Sequence, residues 1–329
     1  MAFSNTYNVT NPGSGVSNRE DLTDVLTILA PEETPVLSLA NKSKATGTFN
    51  EWTVDTLAAP SATGIQEGAD ISSFTDKFTG RARLGNYIQL FRRDFMVSQL
   101  QQAVESVGPA KLAEAEAKGV REIKRDMEKV LCGDQDRSVE DGSSTRYVSR
   151  GLGDWIDDAG PADVPSGFRT PAASIHSSGT LTENLFNGLI ASIYTQTGTI
   201  DKLSLVAGTT LRRTISAFAR SDNNTSENVY HVNQMATDKE ITLAVNTYDS
   251  DFGIITVING NPACMPDPTA TGKNRGYIIN PDYLGVAELM SLGSTRVPDQ
   301  GGGQRGFVDA AAGLQVFSPL AHGKITVVT

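Results

Sequence analysis

Two cysteines and three histidines in 329 residues leave little material for the usual devices of metal or redox chemistry. Cys132 and Cys264 are too few for a disulfide framework and read as reduced, buried small hydrophobes. His176, His231 and His322 lie far apart, none within metal-ligand spacing of another His or Cys, and loop or turn positions are expected for them. No apolar run approaches the length of a membrane helix, and Met1-Ala2-Phe3-Ser4-Asn5 has neither the basic nor the apolar region of a signal peptide. Synthesis in a cytoplasm, with no membrane partner, is the expectation. Basic residues are also short, 28 Lys and Arg against 38 Asp and Glu for a net charge of -10. A nucleic-acid reader would instead show clustered Lys and Arg on a basic face.

Catalytic signatures fail in turn. Gly272-Lys273-Asn274 lacks a phosphate loop's glycine, where Asp267 stands, and its Ser or Thr, where Asn274 stands. Gly301-Gly302-Gly303-Gln304-Arg305-Gly306 reads as a flexible hinge. Asp249-x-Asp251-x-Gly253 lacks the later ligands of a calcium loop and suits a hairpin turn, and Asp134-x-Asp136 with Glu140 and Asp141 reads as solvated loop. No Gly-x-Ser-x-Gly elbow occurs. No catalytic residue, cofactor site or metal site is assigned, and an enzyme is not expected.

What the chain does have is length enough for two domains, or for one with a large extension. It also has one long helix. Pro109 suits a first helical position and Gly133 a left-handed stop, with 23 residues between them. Ala113, Ala117, Val120, Ile123, Met127, Val130 and Leu131 draw a narrow stripe, and the other faces are charged. At 1.5 Å per residue the rod is roughly 35 Å long, a strut lying across a surface.

Before it, residues 1 to 18 read as an arm without a core, and a short helix is expected from Arg19 to Leu29, stopped by Ala30-Pro31. Thr48 to Asp55 and Arg83 to Phe91 are strand-like, separated by 27 residues whose few large apolar groups are Leu57, Ile65, Ile71, Phe74 and Phe78. So long a loop suits a projecting two-stranded arm that is covered only by another molecule. Residues 1 to 80 hold ten acidic groups against four basic, and residues 81 to 131 ten basic against seven acidic. That contrast is either chance variation on solvated surface or the sign of an acidic arm lying over the basic strut of the next copy.

A helix is expected from Phe95 to Val107, and others from Glu183 to Thr195 and Thr209 to Ala219. Strands are expected at 203–207, 241–248, 254–258 and 277–279, with a last pair at Leu314 to Phe317 and Lys324 to Val328.

Four stretches stand out in order along the chain: Ala30-Pro31-Glu32-Glu33-Thr34-Pro35 before the arm, Arg121-Glu122-Ile123-Lys124-Arg125-Asp126-Met127-Glu128 in the helix, Tyr248-Asp249-Ser250-Asp251-Phe252-Gly253 at the hairpin and Ala321-His322-Gly323-Lys324-Ile325 near the end. With the order of parts, they carry a resemblance to the major capsid proteins of tailed bacteriophages, of the Hong Kong 97-type fold, and among them the SU-ten-like family. It implies an α+β fold with an N-terminal arm (1–45), an extended two-stranded loop (46–93), a peripheral domain (94–179) with its spine helix (109–132), an axial domain (180–300) and a return to the peripheral domain (301–329). It further implies self-assembly into hexamers and pentamers that form the icosahedral, DNA-containing head of the virion, built in the host cytoplasm. The double-stranded DNA would be enclosed without sequence-specific binding. Portal, scaffolding and decoration proteins are the implied partners, and the scaffold is expected as a separate chain because the arm begins so near Met1.

The assembly interface is expected at Trp52, Ile65, Phe74 and Phe78 of the loop and at Arg121 and Arg125 of the helix. Some relatives join subunits through a Lys to Asn isopeptide bond, for which Lys77 is the only lysine in the extended loop; a solvated lysine is the plainer reading. The alternative to a phage head is the shell of a non-viral encapsulating compartment.

Overall fold

A computed structural model describes residues 32–78, 80–104, 111–198, 202–218, 246–265, 275–298 and 301–326. The expected arm 1–18, the helix 19–29, the helix start at Gly108-Pro109, His231 and Gly272 to Asn274 lie outside them. In chain order the elements are α1 (Pro35–Leu39), β1 (Asn41–Lys44), β2 (Phe49–Val54), β3 (Ala82–Tyr87), β4 (Gln89–Ser98), α2 (Gln99–Ala103), α3 (Lys111–Leu131) and α4 (Leu152–Trp155). There follow β5 (Ile175–His176), α5 (Glu183–Thr197), β6 (Ser204–Ala207), α6 (Thr209–Phe218), β7 (Thr247–Ser250), β8 (Gly253–Asn259), β9 (Gly276–Ile279), β10 (Leu284–Val297), β11 (Gly303–Val316) and β12 (Gly323–Ile325). No helix among the described residues is long and apolar enough to cross a membrane.

Two sheets organise the chain. The four-stranded sheet has the order β1-β10-β11-β4, and the six-stranded sheet the order β5-β12-β9-β6-β8-β7. In the first, β10 and β11 form one long antiparallel hairpin whose turn uses Gly301 and Gly302 at φ +91° and +93°. The glycine cluster read as a hinge is therefore the turn and opening of a 14-residue strand, and the strand expected at Leu314 to Phe317 is only the end of it. Phe317's neighbour strand is not β12, which pairs with β5 and β9 in the other sheet. The boundary drawn at residue 300 separates β10 from β11, the two strands of this hairpin.

The helix expected from Phe95 to Val107 is also corrected. Residues 89–98 are one strand, β4, paired along β11, and only Gln99–Ala103 is helical among the described residues that follow. Phe91 and Phe95 are buried on one face, as strand alternation requires. Arg93 between them on that face hides the pattern, because it is satisfied by Asp126 of α3 through two bonds of 2.7 and 2.8 Å.

Helix α3 crosses this sheet on the face of β4 and β11. Its buried stripe is Gly119, Ile123, Met127 and Leu131, with Leu112 and Ala115 extending it toward the start. Ala113 and Ala117, counted in the expected stripe, are exposed. Gly119 marks the closest approach: a Cβ there would stand 3.3 Å from Val308 of β11.

The six-stranded sheet is covered on both faces. Phe186, Leu189, Ile190 and Ile193 of α5 and Leu211 and Ile215 of α6 pack with Leu205, Ile278 and Ile325 on one side. Val206, Tyr277 and Ile279 face the core shared with α3 and Trp155 on the other. Alternate residues of β6 and β9 thus go to opposite cores, which is why these short strands are almost wholly apolar, Ser204 excepted. Thr182 caps α5 through Leu185 N–H at 3.3 Å, and Gly198 closes it at φ +72°.

Candidate assembly surfaces

Strands β2 and β3 pair antiparallel from Phe49↔Tyr87 to Val54↔Ala82, so the expected two-stranded extension is present. Its root is fixed by buried side chains. Leu84 is fully buried, and Asn86 donates to the Leu314 carbonyl at 2.8 Å while accepting from the Arg150 N–H at 2.8 Å. Gly85 lets the Phe49 ring cross the partner strand, since a Cβ would come within 2.6 Å of that ring. Beyond the root the pattern reverses. Every described residue from 55 to 81 is exposed, including Leu57 at 99 % and Phe74 at 90 %.

The residues expected at an interface divide in two. Ile65, Phe74 and Phe78 lie on the exposed loop with Leu57 and Ile71, five large apolar groups on one segment, all exposed. The Arg81 guanidinium lies 4.3 Å from the centre of the Phe78 ring. Trp52 does not join them. It turns inward, with its ring 5.7 Å from Trp155 and 6.2 Å from Phe317, and packs its own subunit. Arg121 and Arg125 are one turn apart on α3, but Arg121 already pairs with Glu32 at 3.3 Å, and Arg125 is half-buried with its Nε unpartnered. The basic groups left exposed on the outer side of α3 include Lys118, Lys124 and Lys129.

Two features were missed in the sequence. Glu128, on the charged helix, is fully buried and accepts the N–H groups of Val36 and Leu37, both at 2.9 Å. It thereby anchors α1 and the chain leading to the extended loop. Burial pushes its carboxyl up, against the pull of the two amides. Replacing Glu128 by Ala leaves these donors without partners, so a loss of about 1–3 kcal/mol is expected in denaturant unfolding, with faster proteolysis at residues 32–40.

The second feature is the pairing made by the loop after α3, whose Asp134, Asp136, Glu140 and Asp141 are exposed as expected. Asp136 binds Arg150 at 2.6 Å and Asp134 binds Arg275, so both aspartates clamp buried cations. Cys132 and Cys264 are free and buried as expected, and burial raises both thiols. Among the described residues no group of three or more His, Cys, Asp or Glu is arranged to hold a metal ion.

The geometry is thus a long helix over a four-stranded sheet, a second sheet packed on both faces, and a hairpin loop that is rooted at its base and exposed beyond it. The sequence matches the SU10 major capsid protein family over residues 3–329. The chain belongs to that family. Solved capsid structures share the fold of this major capsid protein. The capsid of a native GTA particle aligns with a TM-score of 0.64 at 12% identity, covering 100% of both chains. A cyanophage A-1(L) capsid chain aligns at 0.63 with 16% identity, covering 97% of this chain and 99% of that one. That of Mycobacterium phage Adephagia aligns at 0.62 with 13% identity, covering 99% and 98%. Comparison with curated proteins gave no match. As a capsid protein it is a structural subunit of a virion shell made of repeated copies, and a phage head is favoured over a non-viral compartment.

Proposed function

We propose that this major capsid protein closes the head of a tailed phage by laying residues 55–81 of each copy over the next, in hexamers and pentamers. The observation that carries the reading is the complete exposure of that loop together with its five large apolar side chains. The loop also bears Glu67, Asp70 and Asp76, which complement the exposed lysines of α3, so the proposed seat is the outer face of a neighbour's helix. Many weak contacts per subunit suffice, because the shell engages them together.

In this reading the sheet of β1, β4, β10 and β11 with α3 is the peripheral layer, and the six-stranded sheet is the axial one. Strand β10, Leu284–Val297, then goes with the peripheral layer. The acidic chain encloses double-stranded DNA without gripping it. A portal, a separate scaffolding protein and decoration proteins are the further partners, and assembly takes place in the host cytoplasm.

Co-expression with the scaffold followed by electron microscopy is expected to show closed shells or capsomers. Persistent monodisperse monomers would overturn the reading, and a cargo enzyme in place of DNA would move it to a compartment shell. Reversing Arg121 and Arg125 to Glu is expected to impair assembly with the monomer still folded. Because both residues also serve their own chain, monomer stability must be measured alongside.

A further inference from the structure

Among the described residues the chain passes between the two sheets at three places: residues 132–174, the passage from β9 to β10, and the passage from β11 to β12. The second and third lie side by side, and one side chain joins them. His322, in the turn before β12, is fully buried. Its Nδ1 accepts the Asn280 N–H at 3.3 Å, where β9 ends, and its Nε2 lies 3.4 Å from the Tyr283 carbonyl oxygen, where β10 begins. These two contacts assign the proton to Nε2, which donates to Tyr283. The Phe317 N–H donates to the same Tyr283 carbonyl at 3.0 Å, so both passages are tied at one point. The first passage is fastened separately, by Lys324 Nζ donating to the Gly153 carbonyl at 2.8 Å and pairing with Asp157 at 3.3 Å.

We propose that His322 is a proton-operated latch between the two sheets: neutral, it holds the two neighbouring passages together, and protonated, it releases them. Protonation at Nδ1 removes the acceptor for Asn280 N–H and places a charge on a side chain that is fully buried from solvent. Among the described residues no charged side chain faces the ring to offset that charge. Asp282 on the turn pairs with Lys202 at 3.0 Å, and Lys324 on β12 is engaged with Gly153 and Asp157. His176 on β5 is turned to the Gly179 carbonyl. On α5, Glu183 faces the Tyr248 hydroxyl, and the Tyr194 ring lies 5.2 Å from that of Phe252.

Burial accordingly holds the imidazole down at about 4. The closed joint therefore binds fewer protons than an open one between that value and the ordinary histidine pKa near 6.5. The latch is at full strength above this window and weakens as pH falls through it. The inference concerns the subunit and stands apart from the proposed loop exchange.

Amide hydrogen exchange on the full chain at pH 7 and pH 5, corrected for intrinsic rates, tests it. The open population seen by the amides of Asn280, Tyr283, Phe317 and His322 is expected to rise on the order of twentyfold between the two pH values. The β10–β11 ladder should keep its protection. His322→Asn retains a neutral acceptor and carries no titrating proton, so its joint should open equally at both pH values. Unchanged protection of the wild-type joint, or equal losses across both sheets, would overturn the proposal. So would a His322→Asn protein with the wild-type pH dependence, and if that variant does not fold the wild-type profile decides alone.

Discussion

Replacing Arg150 by alanine is expected to cost the subunit about 3–5 kcal/mol in denaturant unfolding, the loss typical of breaking a buried ion network from one side. The guanidinium is 1% exposed and sits among three carboxylates: Asp136 at 2.6 Å, Asp163 at 2.7 Å and Asp154 at 3.0 Å. It also lies 4.8 Å from the centre of the Trp155 ring, so its removal leaves both uncompensated charge and a void beside a core aromatic. The Arg150 backbone N–H, which alanine retains, holds Asn86, which in turn holds the base of the extended loop, so damage reaches the loop root only through a shift of the backbone at 150. Arg150→Lys keeps the charge but not the planar fork and should recover only part of the loss.

Acid titration supplies a second readout. Burial pushes the Asp163 carboxyl up, and Arg150, joined by Arg137 and a backbone amide, more than offsets this, leaving it below its ordinary value. A depressed carboxylate stabilises the fold above its unfolded pKa near 4 and loses that contribution as pH falls below it. The wild type should therefore lose stability in that range more steeply than Arg150→Ala. Equal slopes and an unchanged unfolding midpoint would remove Arg150 from this role.

The same residues show why some of the fold was legible in the sequence and some was not. Wherever one face alone is buried, the pattern is read directly: Phe186, Leu189, Ile190 and Ile193 mark α5, Thr182 marks its start, and Asp249 to Gly253 mark the turn between β7 and β8. Where a long-range partner satisfies a charge, the local pattern misleads. Arg93 breaks the alternation of β4 because Asp126 lies on another element, and Glu128 looks like a solvated helix residue because the amides it binds are about ninety positions away. The 14-residue β10 was hidden for a different reason. Its first four residues are buried and most of the rest are exposed, so no single period runs through it.

The loop presents the opposite case, since its chemistry is plain in the sequence and only its exposure needed the structure. Changing Phe74 and Phe78 together to serine is expected to abolish shell formation at concentrations where the wild type assembles, while the unfolding midpoint of the monomer stays the same. Both rings are largely exposed, at 90% and 63%, so their loss removes little from the subunit itself. Covered by a neighbour, each would contribute about 1.5–3 kcal/mol of apolar burial. That loss recurs at every loop seat in the shell, and cooperative assembly turns a modest change per contact into a large rise in the threshold concentration. Lys77 lies between them, and Lys77→Ala alone should leave assembly intact if the seat is apolar and non-covalent. Sedimentation of the double variant and of Lys77→Ala, with intact mass measured under denaturing conditions, separates the possibilities. Normal shells from the double variant would end the case for loop exchange, whereas crosslinked species lost on Lys77→Ala would move the decisive contact from the rings to the lysine.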